Sequence, residues 1–138
     1  MTDQTENAVP PREPETPLSV LVLDDEPIVG KRLKPALAKM GYEVEVFDSP
    51  KEALERITER EFDIVVTDVY MEDVDGLQVL EHVQKRSPRT KVIIITGYAM
   101  MEMARRAMDK GAFDFIAKPF EPDDLRDAIA RAAKSLRF

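Results

Sequence analysis

Short apolar runs alternate with longer amphipathic stretches from Leu18 to the end of the chain. The runs SVLVL, EVEVF, FDIVVT, KVIIIT and FDFIA are short, rich in Val, Ile and Phe, and bounded by turn residues, which reads as strand. They predict strands at about Ser19–Asp24, Glu43–Phe47, Phe62–Asp68, Lys91–Thr96 and Asp114–Ala117. Helices are predicted between and after them, at about Pro27–Met40, Pro50–Arg60, Gly76–Arg86, Ala99–Lys110 and Pro122–Leu136. In the last of these, Leu125, Ala128, Ile129, Ala132 and Leu136 share one face. Ser49-Pro50-Lys51-Glu52 combines a capping Ser, Pro at the first helical position and a reciprocal Glu. Gly41 and Gly111 stand where helices stop. Pro35 falls inside the first helical stretch, where it removes a donor and predicts a kink. Five βα units in series imply a parallel sheet with helices on both faces and right-handed crossovers, a doubly wound α/β fold.

Residues 1–17 break this pattern. They are polar and carry Pro10, Pro11, Pro14 and Pro17, too little apolar surface to offset the entropy of ordering, and they read as a flexible tail ahead of one folded unit at 18–138. At 138 residues the chain has room for one domain. A net charge of −7 argues against nucleic acid as a direct partner, because phosphate binding wants a basic face. No apolar run approaches the roughly 20 residues that a membrane span needs. The absence of Cys removes disulfide and thiolate chemistry, and with no basic-then-apolar leader it fits a cytoplasmic protein.

Four of the apolar runs deliver a polar residue at or just past their carboxyl ends: Asp24-Asp25, Asp68, Thr96 and Lys118. In an open parallel sheet that edge is where ligands bind. Three acids, a hydroxyl and an ammonium meeting in one crevice suit a divalent hard cation and a phosphoryl group. The acids would repel one another unless a cation relieved them, and oxygen ligands with room for water suit Mg2+. Asp68 is placed to attack a phosphoryl group and form an acyl phosphate. Thr96 can donate to a phosphoryl oxygen, and the Lys118 ammonium can pair with Asp68 or a phosphate. Taken singly, each has a plainer reading: a turn or cap for Asp24-Asp25, a solvated strand end for Asp68, a β-favouring residue for Thr96, a surface cation for Lys118. The shared register across four units favours the joint reading.

LVLDDEP, DIVVTDVYMEDVDGL, VIIITGY and GAFDFIAKPF, in that order, resemble the receiver domain of bacterial two-component response regulators, over residues 18 to about 136. The resemblance implies a flavodoxin-like five-stranded sheet of order 2-1-3-4-5. It implies that a sensor histidine kinase or phosphotransfer protein donates a phosphoryl group to Asp68. Mg2+ would be held by Asp24, Asp25, Asp68 and the backbone carbonyl of Tyr70. Lys118 would contact the phosphoryl group, across a cis bond to Pro119. Thr96 would turn toward the phosphate and Phe115 swing inward with it, changing the surface of the fourth helix, fifth strand and fifth helix for a downstream target, an output domain or a second copy of the chain. Catalysis would be limited to its own phosphorylation and dephosphorylation. Two positions depart from the family pattern: Glu72 stands where a Pro commonly follows the Met, and Phe115 lacks the hydroxyl of the commoner Tyr. Tyr70 and Tyr98 are bulky enough to shield the pocket mouth from water.

Competing readings are weaker. A Mg2+-dependent phosphohydrolase of the haloacid-dehalogenase type would carry a DxDx[TV] run after the first strand, which is missing here. A docking module independent of phosphorylation would typically have lost an acid or the Lys. A nucleotide-binding domain would show a G-x-G-x-x-G after the first strand. Met100, Met101 and Met103 read as core packing, or as an adaptable partner surface beside Phe115. His82, the only His, reads as a solvated helix residue.

Overall fold

The computed structural model describes residues 17–71, 73–97 and 100–137. The strands are β1 (Ser19–Leu23), β2 (Glu43–Phe47), β3 (Ile64–Asp68), β4 (Lys91–Thr96) and β5 (Asp114–Ala117). Helices α1 (Pro27–Ala38), α2 (Pro50–Glu59), α3 (Gly76–Arg86), α4 (Met101–Asp109) and α5 (Pro122–Arg137) follow them in turn. All neighbouring strands pair parallel, in the order β2-β1-β3-β4-β5, as the sequence pattern and the resemblance together imply.

Period-two alternation assigns each central strand to two cores. Leu21, Leu23, Val65, Val92 and Ile94 point to one face, where Ala53 and Ile57 of α2, Val79, Leu80 and Val83 of α3 and Ala107 of α4 cover them. Val20, Val22, Ile64, Val66, Ile93 and Ile95 point to the other, under Leu33 and Leu37 of α1 and Leu125, Ala128, Ile129 and Ala132 of α5. Strands buried on both faces need continuous apolar runs, which is why β1, β3 and β4 read so plainly. β2 and β5 are sheet edges and are only half-buried, although FDFIA is as apolar a run as the central ones.

Several local expectations are sharpened. β3 starts at Ile64 rather than Phe62, and just ahead of it the Asp63 side chain accepts from Ser19 N–H at 2.8 Å, Ser19 Oγ at 3.2 Å and Arg89 at 3.0 Å. Pro35 lies inside a helix that runs unbroken from Pro27 to Ala38. Ser49 caps α2 by accepting from Glu52 N–H, and a two-way capping box, missed in the sequence, starts α3 at Asp75 and Gln78. His82 is half-buried, not merely solvated. Thr58 Oγ1 donates to Leu54 O and shares a 3.0 Å hydrogen bond with His82 Nε2, which ties α3 to α2. The tail reading of residues 1–16 and the predicted α4 start at Ala99 lie outside the described residues.

Candidate functional site

The carboxyl ends of β1, β3, β4 and β5 lie side by side because β1 pairs with β3, β3 with β4 and β4 with β5. Asp24 follows β1 and is anchored there by its own N–H, which donates to Phe47 O. Its side chain is buried, 2 % exposed, and Oδ1 accepts from Glu26 N–H at 2.9 Å. Asp68 ends β3, also buried, with Oδ1 accepting from Tyr70 N–H at 3.2 Å. Asp25 is exposed at the rim. Oxygens of Asp24, Asp25 and Asp68 all lie within 4.8 Å of one another, close enough to share one cation.

Lys118 is the counter-charge. Its backbone N–H donates to Thr96 O at 2.7 Å, which sets the residue just beyond the β4–β5 pairing, and its bond to Pro119 is cis. The ammonium lies 3.1 Å from Asp68 Oδ2, 2.9 Å from Asp24 Oδ2 and 2.7 Å from Glu26 Oε1. The approach to Asp24 is an ion-pair contact without hydrogen-bond geometry, so Asp24 Oδ2 is buried with no hydrogen bond at all. Burial pushes the Asp24 carboxyl up from its ordinary value, against the hydrogen bond from Glu26 N–H and the nearby Lys118 charge. Burial and the neighbouring Asp24 charge push Asp25 up too. For Lys118 burial works the other way, but the hydrogen bonds to Glu26 and Asp68 and the ion pair with Asp24 outweigh it and push the ammonium up. A divalent cation would relieve Asp24 and Asp25, which burial holds above their ordinary values, and Asp24 Oδ2, which accepts no hydrogen bond, is a ready hard ligand. The residues present therefore fit Mg2+.

Thr96 is fully buried, and its Oγ1 donates to Gly97 O at 3.0 Å. Phe115 is half-buried and packs against the α2–α3–α4 core. Tyr70 is 62 % exposed, at the rim. Glu72 and Tyr98 lie outside the described residues.

Two residues of the site were missed in the sequence. Glu26 directly follows the acidic pair, which was a signal, but its partner is 92 positions away. Gly76 opens α3, where a Cβ would stand 2.7 Å from Val69 Cα and 2.8 Å from Asp68 O. Only a residue without a side chain lets α3 start so close to the Asp68 backbone.

The family model described as response regulator receiver domain matches residues 20–130. The response regulator protein PilR of Pseudomonas aeruginosa is 35% identical over 83% of this chain and 26% of its own length. A putative NtrX-like response regulator of Rickettsia typhi is 37% identical over 85% of this chain and 25% of its own. A crystal structure of a response regulator receiver domain protein from Clostridium thermocellum superposes with a TM-score of 0.80 at 35% identity, covering 88% of this chain and 99% of that one. The chain thus spans about a quarter of the length of the curated relatives it matches.

Proposed function

The chain belongs to the response regulator receiver domain family, and on that premise we propose that it is a phosphoryl-accepting switch with Asp68 as the acceptor. The observation that carries this reading is the convergence of the Lys118 ammonium on the buried Asp24 and Asp68 carboxylates, with Asp24 Oδ2 held by the ion pair alone and accepting no hydrogen bond.

The donor is the phosphohistidine of a sensor histidine kinase or phosphotransfer protein. An Asp68 carboxylate oxygen attacks phosphorus, the P–N bond breaks, and its electron pair leaves with the imidazole nitrogen of the donor. The product is an acyl phosphate on Asp68, and water later attacks the phosphorus to return carboxylate and inorganic phosphate. Asp24, Asp25, Asp68 and the Tyr70 carbonyl would hold Mg2+, which would neutralise charge on the transferring group. Lys118 already stands against Asp68 Oδ2, so it orients the acceptor and then stabilises the phosphoryl oxygens. The domain acts on itself and turns over no separate substrate.

The readout follows from Thr96. In this structure its hydroxyl proton is given to the neighbouring Gly97 carbonyl. A phosphoryl group offers a stronger, charged acceptor, and Thr96 turning to it shifts the segment ahead of α4. Phe115 next to α4 repacks by shape alone, having no hydroxyl. The α4–β5–α5 surface then favours a downstream protein, an output domain or a second copy of the chain. Tyr70, exposed at the rim, shields the acyl phosphate from water.

The test is acetyl phosphate or beryllofluoride with Mg2+, comparing the wild type with Asp68→Asn by intact mass and size-exclusion elution. Acetyl phosphate is expected to add one phosphoryl group to the wild type and none to the variant, and beryllofluoride to shift the elution of the wild type alone. An equal mass gain on both would remove Asp68 as acceptor, and steady turnover of a phosphate ester would favour a phosphohydrolase.

A further inference from the structure

Glu26 occupies the N-cap position of α1, where a side-chain oxygen normally accepts from the first free N–H groups of the helix. Its carboxylate makes no such bond. It reaches instead across the crevice to Lys118 Nζ at 2.7 Å, the shortest of the three contacts that ammonium makes with carboxylates. The reach is not a product of a loose loop. Glu26 N–H donates to Asp24 Oδ1 and Glu26 O accepts from Val29 N–H, so the backbone is held on both sides. A capping position has given up its local role, and the side chain ties the β1–α1 loop to the β5–α5 loop at the mouth of the site. Beside this tie lies a groove of about 370 Å³ lined by Val29, Leu33, Pro119 and Phe120.

We propose that Glu26 is a positioning residue that competes with the incoming phosphoryl group for the Lys118 ammonium, and so sets how readily Asp68 is phosphorylated. The inference rests on the phosphoryl-accepting reading above. The ammonium has three protons and faces three carboxylate oxygens, Glu26 Oε1, Asp24 Oδ2 and Asp68 Oδ2, all within 3.1 Å. A phosphoryl oxygen that binds Lys118 must displace one of them, and Glu26, the most exposed of the three acids, is the one free to leave. The Glu26 charge also faces any anion that approaches Lys118, and like charges in one crevice oppose each other. The resting molecule therefore carries an internal anion in the place the donor must take. Glu26 is mostly exposed, so the latch is weak enough for a phosphoryl group to displace.

The test has two arms, with Asp68→Asn as the control for the underlying reading. In the first, Glu26→Gln is phosphorylated by acetyl phosphate and Mg2+. Losing one partly exposed ion pair is expected to lower the KM for acetyl phosphate about three- to tenfold, with the rate at saturation unchanged. A merely structural role would alter stability and leave the KM alone. An unchanged KM in Glu26→Gln, with phosphorylation abolished by Asp68→Asn, would overturn the competition while the acceptor role stands. In the second arm, Glu26→Gln, Lys118→Met and the double variant are melted in chelator without metal. The double-mutant cycle is expected to show a favourable Glu26–Lys118 coupling. A coupling of zero would overturn the latch whether or not the domain is phosphorylated.

Discussion

Asp24 and Asp63 stand at opposite ends of the sheet, 2 % and 3 % exposed, and their surroundings differ in kind. Asp63 is satisfied by Ser19 N–H, Ser19 Oγ and Arg89, the ordinary solution for a buried carboxylate. Asp24 keeps one oxygen without a hydrogen bond, beside two more acids. A group left unsatisfied while its counterpart is fully bonded marks where stability has yielded to chemistry. Lys118 holds this arrangement together in the absence of metal. Lys118→Met, tested by thermal melting in chelator, is expected to lose about 1–2 kcal/mol, less than for a fully buried pair because the ammonium is partly solvated. Mg2+ is expected to restore most of that loss, since a cation among the acids does electrostatically what the ammonium did. A variant equally destabilised with and without Mg2+ would show that the acids do not bind it.

At the scale of elements, the site depends on how closely α3 approaches the end of β3. Gly76 N–H donates to Val69 O at 2.8 Å, and the Asp75–Gln78 box fixes the first turn. Gly76→Ala would put a methyl group against backbone, not against a flexible side chain, so the loop after Asp68 must move. The expected cost is about 1–3 kcal/mol by chemical denaturation, the range for overpacking a tight contact. A fall in the phosphorylation rate is expected with it, because Asp68 O and Val69 are the atoms displaced. Full stability and rate in this variant would mean the loop gives way without disturbing the acceptor. The other helices are joined by weaker ties. α3 is bonded to α2 through His82 and Thr58, and to the end of α4 by Gln84 Nε2, which donates to Lys110 O at 2.7 Å. The start of α4 has no side-chain cap, so its amino end, next to Thr96 and Gly97, is the less restrained one.

For the whole molecule, the sheet order places β1, β3 and β4 in the centre, buried on both faces, and β2 and β5 at half-buried edges. Hydrogen exchange is expected to be slowest in Val20–Leu23, Ile64–Thr67 and Val92–Ile95 and measurably faster in β5. Mg2+ with beryllofluoride is expected to change exchange in α4 and β5 while leaving β1 and β3 as they were. A uniform change across the sheet would argue against a switch confined to the α4–β5–α5 side. Five strand runs, four of the five helix starts and Asp24, Asp25, Asp68, Thr96 and Lys118 were legible in the sequence, because each rests on a local signal: an apolar run, a capping residue, a polar residue at a strand end. The edge exposure of β5, the Gly76 contact, the His82–Thr58 bond and Glu26 on Lys118 were not. Each joins positions far apart in the chain, and distance along the sequence says nothing of distance across a folded sheet. The chain by itself determined which groups reach the carboxyl edge; only the tertiary structure decided which oxygens there share the one ammonium and which of these accepts no hydrogen bond, since that depends on burial and contact geometry that no local pattern encodes.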